Sequence, residues 1–221
     1  MTKPRAKKTD DAALKAAVLE AALALAPQEG FSDAMLARAC DEAGVDGAAR
    51  AGLFPSGPPD LVEAFSESID AEMEKRLMKA KLSAMKIRER IKAAVMARLD
   101  ALRPHKDAAR RAAAFLTLPP HAGLGATLLY RSVDRMWRAV GDTSTDFNFY
   151  TKRAILAGVY SATLLRWFTD DSEDEKATRE FLDARIENVM QFEKLKAQVK
   201  ERAKGLPSLG DILGAVSRRR S

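Results

Sequence analysis

A single cysteine, Cys40, stands among 221 residues. One thiol cannot close an internal disulfide, so a reducing compartment is the default expectation. No apolar stretch approaches the roughly 20 residues that cross a bilayer. A helix is expected to begin straight after the basic first ten residues, which leaves no room for a cleavable leader. Runs of β-branched residues are nearly absent, which argues against sheet. His105 and His121 are the only histidines, each beside a proline and far from any cysteine pair. They read as loop residues and not as zinc or iron ligands. The acidic run "DDSEDE" at 170–175 lacks the spaced ligands and the glycine of a calcium loop. "GLG" at 123–125 lacks the lysine and flanking strand of a phosphate loop. Cys40 has no evident histidine partner and reads as a small buried residue. Without a catalytic or metal-binding constellation, the expectation is a protein that is not an enzyme and needs no cofactor.

What remains is helix-forming. Ala, Leu, Lys, Glu and Arg dominate, and the hydrophobic fraction of 47% suffices for a real core. Apolar residues recur at helical spacing in about nine segments: 11–26, 33–43, a short one from Asp46, one from Asp60 toward Lys81, 84–102, one ending at Pro119, 123–140, 145–168 and 173–203. "PQEG" at 27–30 is expected to stop the first and Pro104 the fifth. Ser172 and Glu175 fit a capping box for the ninth. The eighth is apolar nearly all round, which places it in the middle of a bundle, against a second copy, or against a ligand.

Charge is distributed unevenly. The net +6 arises at the two ends, +3 in residues 1–10 and +6 in 194–221, and the intervening body is negative. Basic ends seek nucleic acid or anionic headgroups. Beyond Gly205 and Pro207, Leu206, Leu209, Ile212, Leu213 and Val216 share one helical face, and Arg218, Arg219 and Arg220 follow. This segment is too short to span a membrane and has the marks of a helix lying in the interface. Docking back on its own bundle is the alternative.

The order helix, "EGF", helix, "AGV", short helix, "LFPS", long helix resembles the head of TetR-type repressors. Phe54 and Pro55 match the structural part of that pattern. Gly57 stands where a lysine is usual, and "DGAARAG" offers Arg50 and little else to reach a base edge. Residues 11–66 hold only three bases, Lys15, Arg38 and Arg50, against a clear excess of acids. Phosphate neutralisation dominates DNA binding, so a TetR-like fold without operator binding is favoured over a repressor.

The stretch "GDTSTDFNFYTKRAILAGVYSATLLRWFTDDSEDEKATREFLDARI" is similar to the signature of a ubiquinone-biosynthesis family, coenzyme Q biosynthesis protein nine. The match runs through Gly141, Asp142, Ser144, Thr145, Asp146, Asn148, Tyr150, Thr151, Arg153, Leu156, Tyr160, Thr163, Leu165, the 170–172 turn, Thr178, Phe181, Leu182 and Arg185. "GLFPSGPPDLVEAF" extends it upstream. Two departures are Phe149, where the family has Trp, and Arg179, where it has an aromatic.

The resemblance implies a TetR-like all-α homodimer that binds no nucleic acid. It holds a phospholipid or isoprenoid quinone in an apolar cavity, partners the di-iron demethoxyubiquinone hydroxylase, and meets the membrane through its C-terminal helix. On this chain the implied organisation is a basic arm (1–10), a helix-turn-helix-like head (11–66), a lipid-binding and dimerisation bundle (67–204) and an amphipathic tail (205–221). The implied lipid-binding residues are Arg153, facing a lipid phosphate, with Trp137 and the small residues Ala154, Ala157, Gly158 and Ser161. Asp146, Phe149 and Tyr150 are the implied grip on the hydroxylase. Read from spacing alone, Arg153 would instead pair with Asp146, the rings would be core, and the small residues would mark close helix packing. The expected location is the cytoplasm, peripheral on the inner face of a bacterial cell membrane.

Overall fold

A computed structural model describes the backbone of residues 5–143 and 147–204, and side chains within 10–143 and 149–192. The whole tail segment from Leu206 to Arg220 and the expected site residue Asp146 lie outside the described residues.

The described residues form nine α-helices joined by short turns, with no strand among them. They are α1 (Arg5–Glu29), α2 (Asp33–Glu42), α3 (Gly47–Leu53), α4 (Pro58–Lys79), α5 (Ile87–Leu102), α6 (Lys106–Thr117), α7 (Ala122–Ala139), α8 (Phe147–Phe168) and α9 (Lys176–Lys204). The expected all-α, TetR-like class is what the chain adopts.

Local chemistry explains most boundaries. Ser32 caps α2 by accepting from the Met35 amide at 3.1 Å, and Asp46 caps α3 from Ala49 at 2.8 Å. Pro58 begins α4, where a missing N–H costs nothing, and Asp60 in its first turn accepts from the Ser56 amide at 2.7 Å. Pro27 does not stop α1. The helix runs through it to Glu29 and ends where Gly30 takes φ +67°. The Pro27 carbonyl accepts from Arg111 of α6 at 3.0 Å, which ties the end of α1 to the bundle.

The core is continuous from head to bundle. Val18, Met35, Leu36 and Cys40 of α1 and α2 are buried, as are Leu61, Met73, Val95, Leu99, Val133, Met136 and Trp167 of the long helices. Burial pushes the Cys40 thiol up from its ordinary value, which leaves it a packing residue. The two histidines are not simple loop residues. Each lies in a short turn, His121 stacked on Phe115 at 4.0 Å and His105 edge-on to Phe65 at 6.1 Å. They fill corners of the core between α4, α6 and α7.

The start of α9 differs from the expected capping box. Glu175 does not reach back to Ser172; it accepts from Arg103 at 3.0 and 2.9 Å and from the Trp167 indole at 2.7 Å. Ser172 keeps its half of the cap, its hydroxyl accepting from the Ala177 amide at 3.0 Å. Asp170 supplies the other half, accepting from the amide and hydroxyl of Ser172 (2.9 and 2.6 Å) and from those of Thr178 (2.7 and 2.5 Å). Asp174 and Glu175 have positive φ, 50° and 55°, so the turn is strained to make this connection.

Burial alone would raise the Asp170 carboxyl, yet these four donors hold it well below the usual carboxylate range. A folded-state value below the unfolded one of about 3.9 means stabilisation fully present above that pH and lost progressively as pH falls from there toward the folded-state value. Asp170→Asn is therefore expected to lower unfolding free energy by about 2 kcal/mol at neutral pH. In urea titrations across the acid range, the gap between variant and parent should close as the pH drops below about 4.

Candidate functional site

The apolar helix α8 and its neighbours position every described candidate residue. α7 ends in a Schellman turn. Gly141 takes φ +89°, its amide donates to Arg138 O at 3.0 Å, and the Asp142 amide donates to Trp137 O at 2.9 Å. This turn fixes the Asp142 carboxylate against the first turns of α8. There the guanidinium of Arg153, 3% exposed, donates to Asp134 at 2.7 Å, to Asp142 at 3.3 Å and to Phe149 O at 3.1 Å. It also lies 3.4 Å over the Phe149 ring. Lys152 donates to Asp142 at 2.9 Å, and the Trp137 indole donates to Lys152 O at 3.2 Å.

Arg153 is thus committed to two carboxylates and lines no cavity. The lipid-phosphate role implied for it does not fit this placement. Asp134 and Asp142 are the carboxylates it pairs with among the described residues, and the expected pairing with Asp146 lies outside them. Phe149 is half-buried against Arg153, whereas Tyr150 is 66% exposed and meets the Phe149 ring edge-on at 5.1 Å.

The inward stripe of α8 is Arg153, Leu156, Tyr160, Thr163 and Trp167, all buried. Its outward stripe carries Tyr150, Ala154, Gly158 and Leu165, all exposed. The helix is not buried all round. Nothing lies within 4 Å of the position a Gly158 Cβ would take, so that glycine faces open space.

Two concavities flank α8. The first, about 380 Å3, lies among α4, α5, α6, α7 and α8, with Phe65, Leu102, Leu116, Leu129, Leu164 and Phe168 in its walls. One end is polar. Buried Arg98 donates to Asp70 and to Ser66 and Ser132 (2.7, 3.1 and 3.1 Å) and to the Tyr160 hydroxyl, and Ser132 donates to Asp70 at 2.9 Å. Asp70 neutralises Arg98, so this end presents no net charge. The second cavity, about 280 Å3, lies among α5, α7, α8 and α9, walled by Ile87, Ile91, Trp137, Ile155, Val159 and Met190. Of the lipid-binding residues implied by the resemblance, Ser161 lines the first cavity and Trp137 lines the second. Ala154, Ala157 and Gly158 line neither. Large side chains build most of the second wall, whereas the first combines them with small residues of α6 and α7 such as Ala109, Ala112, Ala113 and Gly125.

Spacing alone missed Asp134, Asp142 as an ion-pair partner, Asp70, Arg98 and Arg90. Arg98 carried one signal: a lone charge inside the apolar run "AAVMARL". Most of the motif reads as structure. Gly141 and Asp142 form the turn, Leu156, Tyr160, Thr163 and Leu182 are core, and Asp170, Ser172 and Thr178 form the cap. Tyr150 is left outside.

Three comparisons bear on this arrangement. The COQ9 family model matches residues 122–193. Curated relatives include the mitochondrial ubiquinone biosynthesis protein COQ9 of Rattus norvegicus, 34% identical over 90% of this chain and 65% of its own length. The human protein of the same name is 32% identical over 90% of this chain and 64% of its own. The chain therefore spans just under two thirds of these relatives. A TetR transcriptional regulator from Nitrosomonas europaea superposes with a TM-score of 0.63 at 22% identity, covering 78% of this chain and 95% of that one.

Because Arg153 is a buried partner of two carboxylates, Arg153→Ala is expected to cost about 3–5 kcal/mol in urea unfolding. A side chain reaching toward a ligand from the surface would leave the midpoint within about 0.5 kcal/mol.

Proposed function

The chain belongs to the COQ9 family, and on that premise we propose that it is a non-catalytic accessory protein. In this reading it takes up a quinone precursor or another isoprenoid lipid at the membrane and presents it to the di-iron demethoxyubiquinone hydroxylase. Family membership supports a role in ubiquinone biosynthesis. The lipid reading rests on one observation above all: α8 runs between two cavities whose walls are mainly apolar side chains. A lipid tail gains roughly 0.8 kcal/mol per CH2 on leaving water, and a bilayer already provides that. A carrier must offer an apolar site of its own; the first cavity falls within the size range of ordinary ligand sites and the second lies just below it. Trp137 and Ser161 are the proposed lipid contacts that survive from the sequence; Arg153 becomes the strut that holds α8 beside them.

The grip on the hydroxylase is assigned to Tyr150, an aromatic side chain that packing does not explain. Phe149 belongs to it through its edge contact with Tyr150. The exposed outer stripe of α8, with Ala154 and Gly158 letting backbones approach, suits a second copy of the chain and supports a homodimer. A repressor reading gains nothing from the exposed face of α3, which offers Gly47, Ala48, Ala51 and Gly52. Membrane attachment is peripheral in this proposal, on the inner face of a bacterial cell membrane. Among the described residues no single helix is long and apolar enough to cross one.

Mass spectrometry of an organic extract of the purified chain should show an isoprenoid quinone, one of its precursors or a phospholipid. Ala113→Trp fills the first cavity and Ile155→Trp the second, and loss of the lipid in one variant assigns it. A chain that carries no lipid and takes none from vesicles refutes the reading. Separately, Tyr150→Ala should weaken hydroxylase binding at least about tenfold. Its thermal midpoint should shift by less than about 2 °C, since the ring is largely in solvent. Phe149 is unsuited to that test because its removal also unstacks Arg153.

A further inference from the structure

We propose that the connection between α4 and α5, together with the first turn of α5, is a second membrane-docking surface. It inserts Met85 and Ile87 among anionic lipids and so brings the second cavity to the bilayer. This goes beyond any contact made by residues 205–221, and it stands whether or not that cavity holds a lipid.

Residues 78–88 carry four basic side chains, Lys79, Lys81, Lys86 and Arg88, and no acid. All four are exposed. Interleaved with them are Met78, Met85 and Ile87, at 78%, 36% and 50% exposure. Many cations elsewhere on the body find carboxylates: Lys92 pairs with Asp183, Arg131 with Glu63, and Arg103 with Glu175. Here Arg88 reaches only its neighbour Glu89, at 3.3 Å, and Lys79, Lys81 and Lys86 make no ion pair with any described residue. Unbalanced lysines around bare apolar side chains are the composition of an interfacial contact: the ammonium groups meet lipid phosphates while Met and Ile enter the acyl boundary. Nucleic acid would satisfy the lysines but leave the apolar side chains in water.

The surface is held in shape. Arg90 donates to Met85 O at 3.0 Å, to Ser83 O at 3.3 Å and to Val140 O at 3.2 Å, clamping the connection to the end of α7. Two further features lie at this same end of the bundle. Ile87 and Arg88 line the second cavity, so its rim belongs to the surface. α9 runs antiparallel to α5, with Asp183 beside Lys92 and Met190 sharing the cavity with Ile87, and it continues past this end to Lys204. Residues 194–204 of that continuation hold five basic residues and one acid, which adds to the same field.

The test attaches an environment-sensitive fluorophore to the full chain at Met85→Cys in a Cys40→Ala background, with a control label at Ala48→Cys on exposed α3. Vesicles of phosphatidylcholine and phosphatidylglycerol should shift the label at 85 to the blue and leave the label at 48 unchanged. Vesicles of phosphatidylcholine alone should produce little response. Lys81→Glu with Lys86→Glu should weaken the response at least about tenfold, as should high salt. Three results would each overturn the proposal: no shift at 85 on vesicles that sediment with the protein, no sedimentation at all, or a label already blue without vesicles and indifferent to them. The last would mean that the chain's own tail or a second copy covers the surface. Duplex DNA that binds the chain and protects the label where vesicles do not would overturn it in favour of nucleic acid.

Discussion

Arg153 sits where α8 meets the end of α7, and the order of that end of the bundle depends on it. Two carboxylates, Asp134 within α7 and Asp142 just past it, converge on one guanidinium that is almost wholly out of solvent. A buried charge of this kind is tolerable only when its partners are fixed. The Schellman turn at Gly141 does the fixing, because a residue with a Cβ would resist the left-handed backbone that aims Asp142 inward. The stacked Phe149 ring and the Trp137–Lys152 bond then set the angle of α8. That angle leaves one cavity on each side of the helix and Tyr150 in the open.

A second buried ion pair, Arg98 with Asp70, repeats the logic deeper in the bundle. Its hydrogen bonds to Ser66, Ser132 and Tyr160 join α4, α5, α7 and α8 at one point. The first cavity therefore ends against a neutral, hydrogen-bonded floor and not against bare charge. An interior so arranged admits apolar molecules without forcing an ion to lose its partner.

The sequence was informative where the interaction is short-range. Ser32, Asp46 and Gly30 bound their helices as their chemistry requires, and the 3.6-residue spacing of Leu156, Tyr160, Thr163 and Trp167 marks the buried face of α8. It was misleading where several groups compete. Ser172 and Glu175 have capping-box spacing, but only Ser172 caps; Glu175 finds a better partner in Arg103, and Asp170 takes its place. The outward stripe of α8 was hidden because Ala154 and Gly158 count as apolar in any window while a solvent-facing helix accepts them freely. The pairings of Arg153 and Arg98 join residues 11 to 62 positions apart, and no local pattern specifies them. Cavity walls are likewise a property of which large side chains fail to meet, which only the assembled bundle determines.

The two ends of α9 are anchored by different means. At its start Asp170 grips Thr178, and Arg103 and Trp167 hold Glu175 just ahead of it. Past the Lys92–Asp183 pair it is held by Ile186, Val189 and Met190, which meet the second cavity through apolar contact. Directional bonds resist sliding and rotation, whereas greasy contact resists separation only weakly. Over its described side chains α9 is therefore held most firmly beside Thr178, and parting it from the bundle past Asp183 would open the second cavity while leaving the first, which α9 does not line, shut.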